Sequence, residues 1–143
     1  MEESIKDYLA EIEEDLNEVE DSTEKLKLLV EYSQDIENYP KEKMKEENKV
    51  PGCVSNVYID ISINSDGLVK IYARSDVLII GGFLSILVGA ISNRDYKEVL
   101  ENRLEIENFI KKIGVKNYLS PTRENAFGNI IEFIFSYLEK HRH

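Results

Sequence analysis

The chain has 143 residues, 42% hydrophobic and 9% aromatic, a composition that suits one globular domain with a real core. A formal charge of -10 argues against a nucleic-acid binder, because phosphate contacts need clustered Lys and Arg, and points to a protein or small-molecule partner or to solubility alone. The single cysteine, Cys53, excludes an internal disulfide and a metal site built of several thiolates, and the longest apolar run, Val77 to Ile91, is broken by glycines and too short to span a membrane comfortably.

The opening Met1-Glu2-Glu3-Ser4 lacks the basic and then apolar character of a signal peptide, so a cytoplasmic protein is expected. Ile5, Tyr8, Leu9, Ile12, Leu16 and Val19 recur at helical spacing between carboxylates and predict an amphipathic first helix. Asp21 with Glu24 offers a capping-box-like start to a second helix carrying Leu26, Leu29, Tyr32, Ser33 and Ile36, which Tyr39-Pro40 stops. Lys41 to Asn48 is a mixed-charge run that reads as a solvated turn or short helix.

From Val57 the apolar residues alternate through Ile59, Ile61 and Ile63, with Tyr58, Asp60 and Ser62 on the other face. Asn64-Ser65-Asp66-Gly67 supplies turn chemistry, and Leu68 to Arg74 alternates again, so the two segments predict an antiparallel hairpin. Ser75 or Asp76 is placed to cap a helix through Ile91 that is apolar nearly all round and therefore buried, although a strand competes over Val77 to Ile80. Asp95 to Leu100 and Glu105 to Ile113 read as short helices, the second ended by Gly114. Ser120 as N-cap and Pro121 at the first helical position announce the last helix, with Phe127, Ile130, Ile131, Phe133, Ile134 and Leu138.

Cys53 stands in Val50-Pro51-Gly52-Cys53-Val54-Ser55-Asn56-Val57-Tyr58, where Pro51-Gly52 predicts a tight turn that delivers the thiol at a loop tip or strand start. On the turn alone the commoner reading is a small buried hydrophobe, since most free cysteines are buried and inert. The only histidines, His141 and His143, sit in the terminal tail, which weakens any Cys-His hydrolase, and Gly81-Gly82 lacks the lysine and spacing of a phosphate loop. A thiol that exchanges sulfur with a partner needs a thiolate, access and an in-line approach, but no general base. Backbone N–H groups of the turn, Arg74 or Arg123 are candidate stabilisers of that thiolate.

Three motifs stand in a recognisable order: Glu47-Asn48 before Gly52-Cys53, then Ser55 and Val57; Ser75-Asp76 before an apolar, glycine-containing helix; and Leu119-Ser120-Pro121-Thr122-Arg123 opening the last helix. With them the chain resembles the SufE-type sulfur acceptors, small proteins that take persulfide sulfur from a cysteine desulfurase during iron–sulfur cluster assembly. The resemblance runs from about Glu24 to the last helix, within a single domain spanning residues 1–143; the acidic helix of residues 1–20 is less family-like. It departs from the family pattern at Val54 and Tyr58, where glutamine and tryptophan are usual, and at Asn56, where glutamine is frequent.

The resemblance implies an α+β fold, a small antiparallel sheet covered on one side by helices and shared with the U-type cluster scaffolds. A third strand is implied, from Ser75 to Ile80 or from the segment nearest Cys53. Cys53 matches the acceptor cysteine, and Asp76 and Arg123 match residues expected to form an ion pair that holds the cysteine loop and last helix in register. Asn48, Gly52 and Ser55 are expected to support the turn. The chain is then an accessory protein rather than a stand-alone enzyme, with no cofactor of its own, any pyridoxal phosphate belonging to a SufS-type desulfurase partner. Sulfur passes on to an iron–sulfur scaffold or another acceptor, with no nucleic acid or membrane partner. The alternative is a docking module that regulates a desulfurase or other enzyme, with Cys53 incidental.

Overall fold

The computed structural model describes residues 3–35, 39–52, 56–113 and 120–141, with the side chains of residues 34, 35, 41 and 123 left out. The hairpin forms as its alternation predicts. Strands β1 (Val57–Ile63) and β2 (Val69–Ser75) pair antiparallel, with Val57 opposite Ser75 and Ile63 opposite Val69. Successive strand side chains point to opposite faces, so Val57, Ile59, Ile61, Val69, Ile71 and Ala73 are buried on one face. Tyr58, Asp60, Ser62, Lys70, Tyr72 and Arg74 take the other. Asn64 shapes the turn: its Oδ1 accepts from the N–H of Asp66 at 2.9 Å and of Leu68 at 3.0 Å. β2 starts at Val69 rather than Leu68, whose backbone bridges to Asp95 instead.

Helices α1 (Ile5–Asn17), α2 (Ser22–Glu31), α3 (Leu78–Ile91), α4 (Tyr96–Glu101), α5 (Arg103–Lys112) and α6 (Pro121–Lys140) bury their apolar faces in one core with the inner face of the hairpin. The arrangement is α+β with helices on one side of the sheet. Asp21 caps α2 as predicted, its Oδ1 accepting from the Glu24 N–H at 3.0 Å, and Ser4 and Asp95 cap α1 and α4 in the same way. The Ser120 carbonyl accepts from the Glu124 N–H at 3.0 Å, which puts Ser120 at the N-cap of α6. Helix α3 is the central element, and its Phe83 stacks on Phe127 of α6 with ring centroids 4.1 Å apart. No described helix is long and apolar enough to cross a membrane.

Three expectations are corrected. The second helix stops being regular at Glu31 and continues as a 3-10 turn over Tyr32–Asp35, tightened by the Ser33 hydroxyl donating to the Val30 carbonyl at 2.7 Å. Ile36, assigned to that helix, lies outside the described residues, as does the Gly114 cap. Helix α3 takes Val77, not Ser75 or Asp76, as its N-cap, because both polar side chains are used elsewhere: Ser75 Oγ accepts from the Val77 N–H at 3.1 Å and Asp76 accepts from Asn56. The competing strand over Val77 to Ile80 is thereby excluded.

The implied third strand shrinks, among the described residues, to one bridge between Lys49 and Tyr58, closed by the Val50 N–H donating to the Val57 carbonyl at 2.9 Å. Pro51 has no N–H to extend the ladder and Gly52 turns away with φ 78°, while a short 3-10 turn, Glu46–Asn48, ends it on the other side. Ser75 to Ile80 makes no strand, since Ser75 ends β2 and Leu78 opens α3.

Arg103 ties α5 to α6, meeting Glu107 at 2.6 Å and Glu132 at 2.8 Å. The hydrogen bond from Arg103, then that from Ser136, holds the Glu132 carboxyl below the usual carboxylate range. A carboxyl depressed in the folded state stabilises the fold above its unfolded value and loses that contribution as pH falls through the folded one. The melting temperature of Glu132→Gln should therefore lie slightly below that of the wild type at pH 7, and the gap should close as the pH is lowered past about 4. A gap that persists in acid would show that the ion pair is not its source.

Candidate functional site

Cys53, Val54 and Ser55 lie outside the described residues, and the site is built from what holds the two ends of their loop. Val50, buried in the core, and Val57, the first residue of β1, are joined by their backbone hydrogen bond at the end of the hairpin away from its turn. The loop leaves Val50 through the predicted turn, with Gly52 in the left-handed region that a side chain rarely adopts. Asn129 of α6 donates from Nδ2 to the Gly52 carbonyl at 3.2 Å, gripping the residue before Cys53. At the other end Asn56 donates from Nδ2 to Asp76 Oδ2 at 3.4 Å. One end is thus held by the last helix and the other by the junction of β2 and α3.

Beneath the loop, the Tyr39 hydroxyl and the Asn48 side-chain amide both donate to the Lys43 carbonyl, each at 2.7 Å. Lys43 in turn pairs with Asp60 of β1 at 2.6 Å, and the Tyr39 ring leans on Tyr58 with centroids 6.3 Å apart. These contacts fold the charged run onto the outer face of the hairpin. Burial first, then the charge of Asp60, pushes the phenols of Tyr39 and Tyr137 above their ordinary value. A groove of about 440 Å³ runs from Pro51 along α6, past Asn129, Phe133 and Tyr137 to Lys140. It opens beside the turn that carries Cys53.

The residues singled out from the sequence fall out unevenly. Asp76 is beside the loop, but its described partner is Asn56. Arg123 stands in the first turn of α6, and its side chain, hence its pairing with Asp76, is outside what is described. Asn48 braces the Lys43 to Asn48 stretch, one step removed from the Pro51-Gly52 turn. Arg74 is exposed, opposite Tyr58 in the ladder. His141 is held at the end of α6, its Nδ1 3.0 Å from the Tyr137 carbonyl, and the rise of the helix puts it about 18 Å along the axis from Asn129. His143 lies outside the described residues. Asn129 and Tyr39 were not anticipated; an asparagine inside a helix, where its propensity is poor, was the available signal for the first.

A model of the SufE family, described as an Fe-S metabolism associated domain, matches residues 10–138. The chain belongs to the SufE family. Among its relatives is a cysteine desulfuration protein SufE of Wigglesworthia glossinidia brevipalpis, 25% identical over 111 residues that cover 78% of this chain and 76% of the relative. An uncharacterized SufE-like protein of Synechocystis is 30% identical over 126 residues, covering 88% of this chain and 77% of the relative. The fold is similar to the solution structure of a hypothetical protein from Thermus thermophilus, with a TM-score of 0.71 at 15% identity over 93% of this chain and 94% of that one. The SufE match begins inside α1 and ends near the close of α6, so it takes in both grips on the cysteine loop.

Gly52→Ala is the local test of those grips. A Cβ there would come 2.8 Å from Asn129 Nδ2 in a backbone conformation that already costs a side chain about 1–2 kcal/mol. The variant should therefore melt a few degrees below the wild type. Combining it with Asn129→Ala should recover part of the loss; strictly additive losses would mean that the two positions do not interact.

Proposed function

We propose that this protein accepts persulfide sulfur from a cysteine desulfurase onto Cys53 and passes it on for iron–sulfur cluster assembly, stimulating the desulfurase as it does so. The Cys53 thiolate attacks the terminal sulfur of the desulfurase persulfide; the old S–S bond breaks, its electron pair stays on the desulfurase cysteine as a thiolate, and Cys53 carries the new S–S bond. No oxidant and no general base enter the step. The observation that supports the reading most is that the described residues on either side of the chain's sole cysteine are each held, Gly52 by Asn129 and Asn56 by Asp76, within a chain of the SufE family.

In this reading Cys53 is the acceptor, Gly52 and Asn129 set the turn, and Asn48, Ser55, Asp76 and Arg123 support the loop. The partner is a SufS-type desulfurase that brings its own pyridoxal phosphate, the acceptor is a cluster scaffold, and the setting is the cytoplasm. The groove along α6 gives the desulfurase a surface beside the loop. Titrating the protein into a SufS-type desulfurase turning over L-cysteine with a reductant tests the proposal: sulfide release should rise several-fold and saturate. A flat response across the titration would refute the stimulating role.

A further inference from the structure

Helix α3 carries one polar side chain, Ser85, in a run otherwise made of apolar residues and glycine. At 8% exposure it is buried, and no other serine, threonine, amide or charged side chain among the described residues is. No hydrogen bond joins its hydroxyl to another described residue. A buried hydroxyl left unpaired is costly, so native folds pair such a group with water or a ligand. Ser85 lines a recess of about 580 Å³, which it shares with Tyr8, Tyr32 and, from β2, Lys70 and Tyr72. Tyr8 bounds the recess at Gly89, where its hydroxyl rests so near the bare Cα that a Cβ would collide with it. No described side-chain polar atom is both sealed from solvent and unpaired, so the Ser85 hydroxyl is reached through this recess.

We propose that this recess binds a small organic anion, which Ser85 hydrogen-bonds and Lys70 neutralises. Its volume falls within the range of small-molecule sites and exceeds what a bare inorganic ion fills. Lys70 is the one charged residue that lines it, and no carboxylate does, on a chain of net charge -10. The Lys70 ammonium donates to Asn93 Oδ1, which uses one of its three donors, and no carboxylate pairs with it among the described residues. Asn93 is itself fixed: its φ of 65° is the one positive value outside glycine among the described residues, and its N–H donates to the Val69 carbonyl at 2.8 Å. The ammonium is thus anchored at the recess with donors to spare. A cation there would meet Lys70 with no carboxylate to offset it, and a neutral ligand would forgo the charge-assisted bond. Tyr8, Tyr32 and Tyr72 supply rings against which the body of the anion can pack. None of these residues takes part in the grips on the cysteine loop.

Benzoate and phenyl phosphate are the probes, with benzamide as the neutral counterpart and benzylamine as the cationic one, each titrated into the isotope-labelled full chain and followed by amide chemical shifts. At least one of the two anions should shift the amides of Lys70, Ser85 and Asn93 and saturate, and the tighter of them assigns the acidic group as carboxylate or phosphate. The neutral and cationic counterparts should bind about tenfold more weakly, the share of one charge-assisted hydrogen bond. Lys70→Met, which keeps the length of the stem, should remove that advantage of the anion over benzamide. Ser85→Ala should weaken the anion roughly fivefold and leave the melting temperature no lower, since it deletes a hydroxyl that bonds no described residue. Shifts that do not saturate or that lie away from these three residues would overturn the proposal, as would wild-type affinity for the anions in either variant.

Discussion

Cys53→Ser should abolish the stimulation of the desulfurase and leave the complex between the two proteins intact. The chain has no second thiol to take over, and a serine hydroxyl ionises too weakly at neutral pH to attack a persulfide sulfur. The grips on the loop act through neighbours: Asn129 holds Gly52 and Asp76 holds Asn56, and neither depends on the sulfur atom. Turnover with saturating variant should fall to that of the desulfurase alone, with the dissociation constant within about a factor of two of the wild type, less than about 0.5 kcal/mol. Unchanged stimulation would leave docking as the whole function and Cys53 incidental.

Gly82→Ala should destabilise the fold strongly. A Cβ at Gly82 would lie 2.0 Å from the Leu29 carbonyl oxygen and 2.9 Å from its carbon, both backbone atoms of α2 that cannot rotate away. Helices α2 and α3 would have to separate where Leu29 and most of α3 are buried. Overpacking of this kind costs about 3 kcal/mol or more, a large share of the stability of a domain this size, and should lower the melting temperature by roughly 10 °C. Gly128→Ala is the control. It sits on the exposed side of α6 with nothing within 4 Å, and the gain in helix propensity, about 0.5–1 kcal/mol, should raise the melting temperature slightly. Equal melting temperatures for the two variants would mean that α2 and α3 do not approach closely at Gly82.

How far the sequence foretold this fold follows from the range of the forces involved. The hairpin, the helix from Leu78 to Ile91 and the cap of α6 were legible because period-2 alternation, a stretch apolar nearly all round and Ser120-Pro121 are local signals. The end of α2 was not, since its tightening at Tyr32 accompanies the close packing of Leu29 and Ser33 against Gly82 and Gly81, a contact between distant segments. The N-cap of α3 was misplaced because Asp76 offers a good capping side chain that the structure spends on Asn56, twenty residues earlier. The position of the cysteine turn was plain from Pro51-Gly52. Its attachment to α6 was not, because Asn129 is 77 residues away and nothing in the local pattern of α6 names its partner.

The most direct measurement is the intact mass of the protein after incubation with a SufS-type desulfurase and L-cysteine, read before and after reductant, with Cys53→Ser alongside. A gain of one sulfur atom that reductant removes and the variant lacks is the predicted result. No gain in the wild type, or the same gain in the variant, would contradict the assignment of Cys53 as the sulfur carrier.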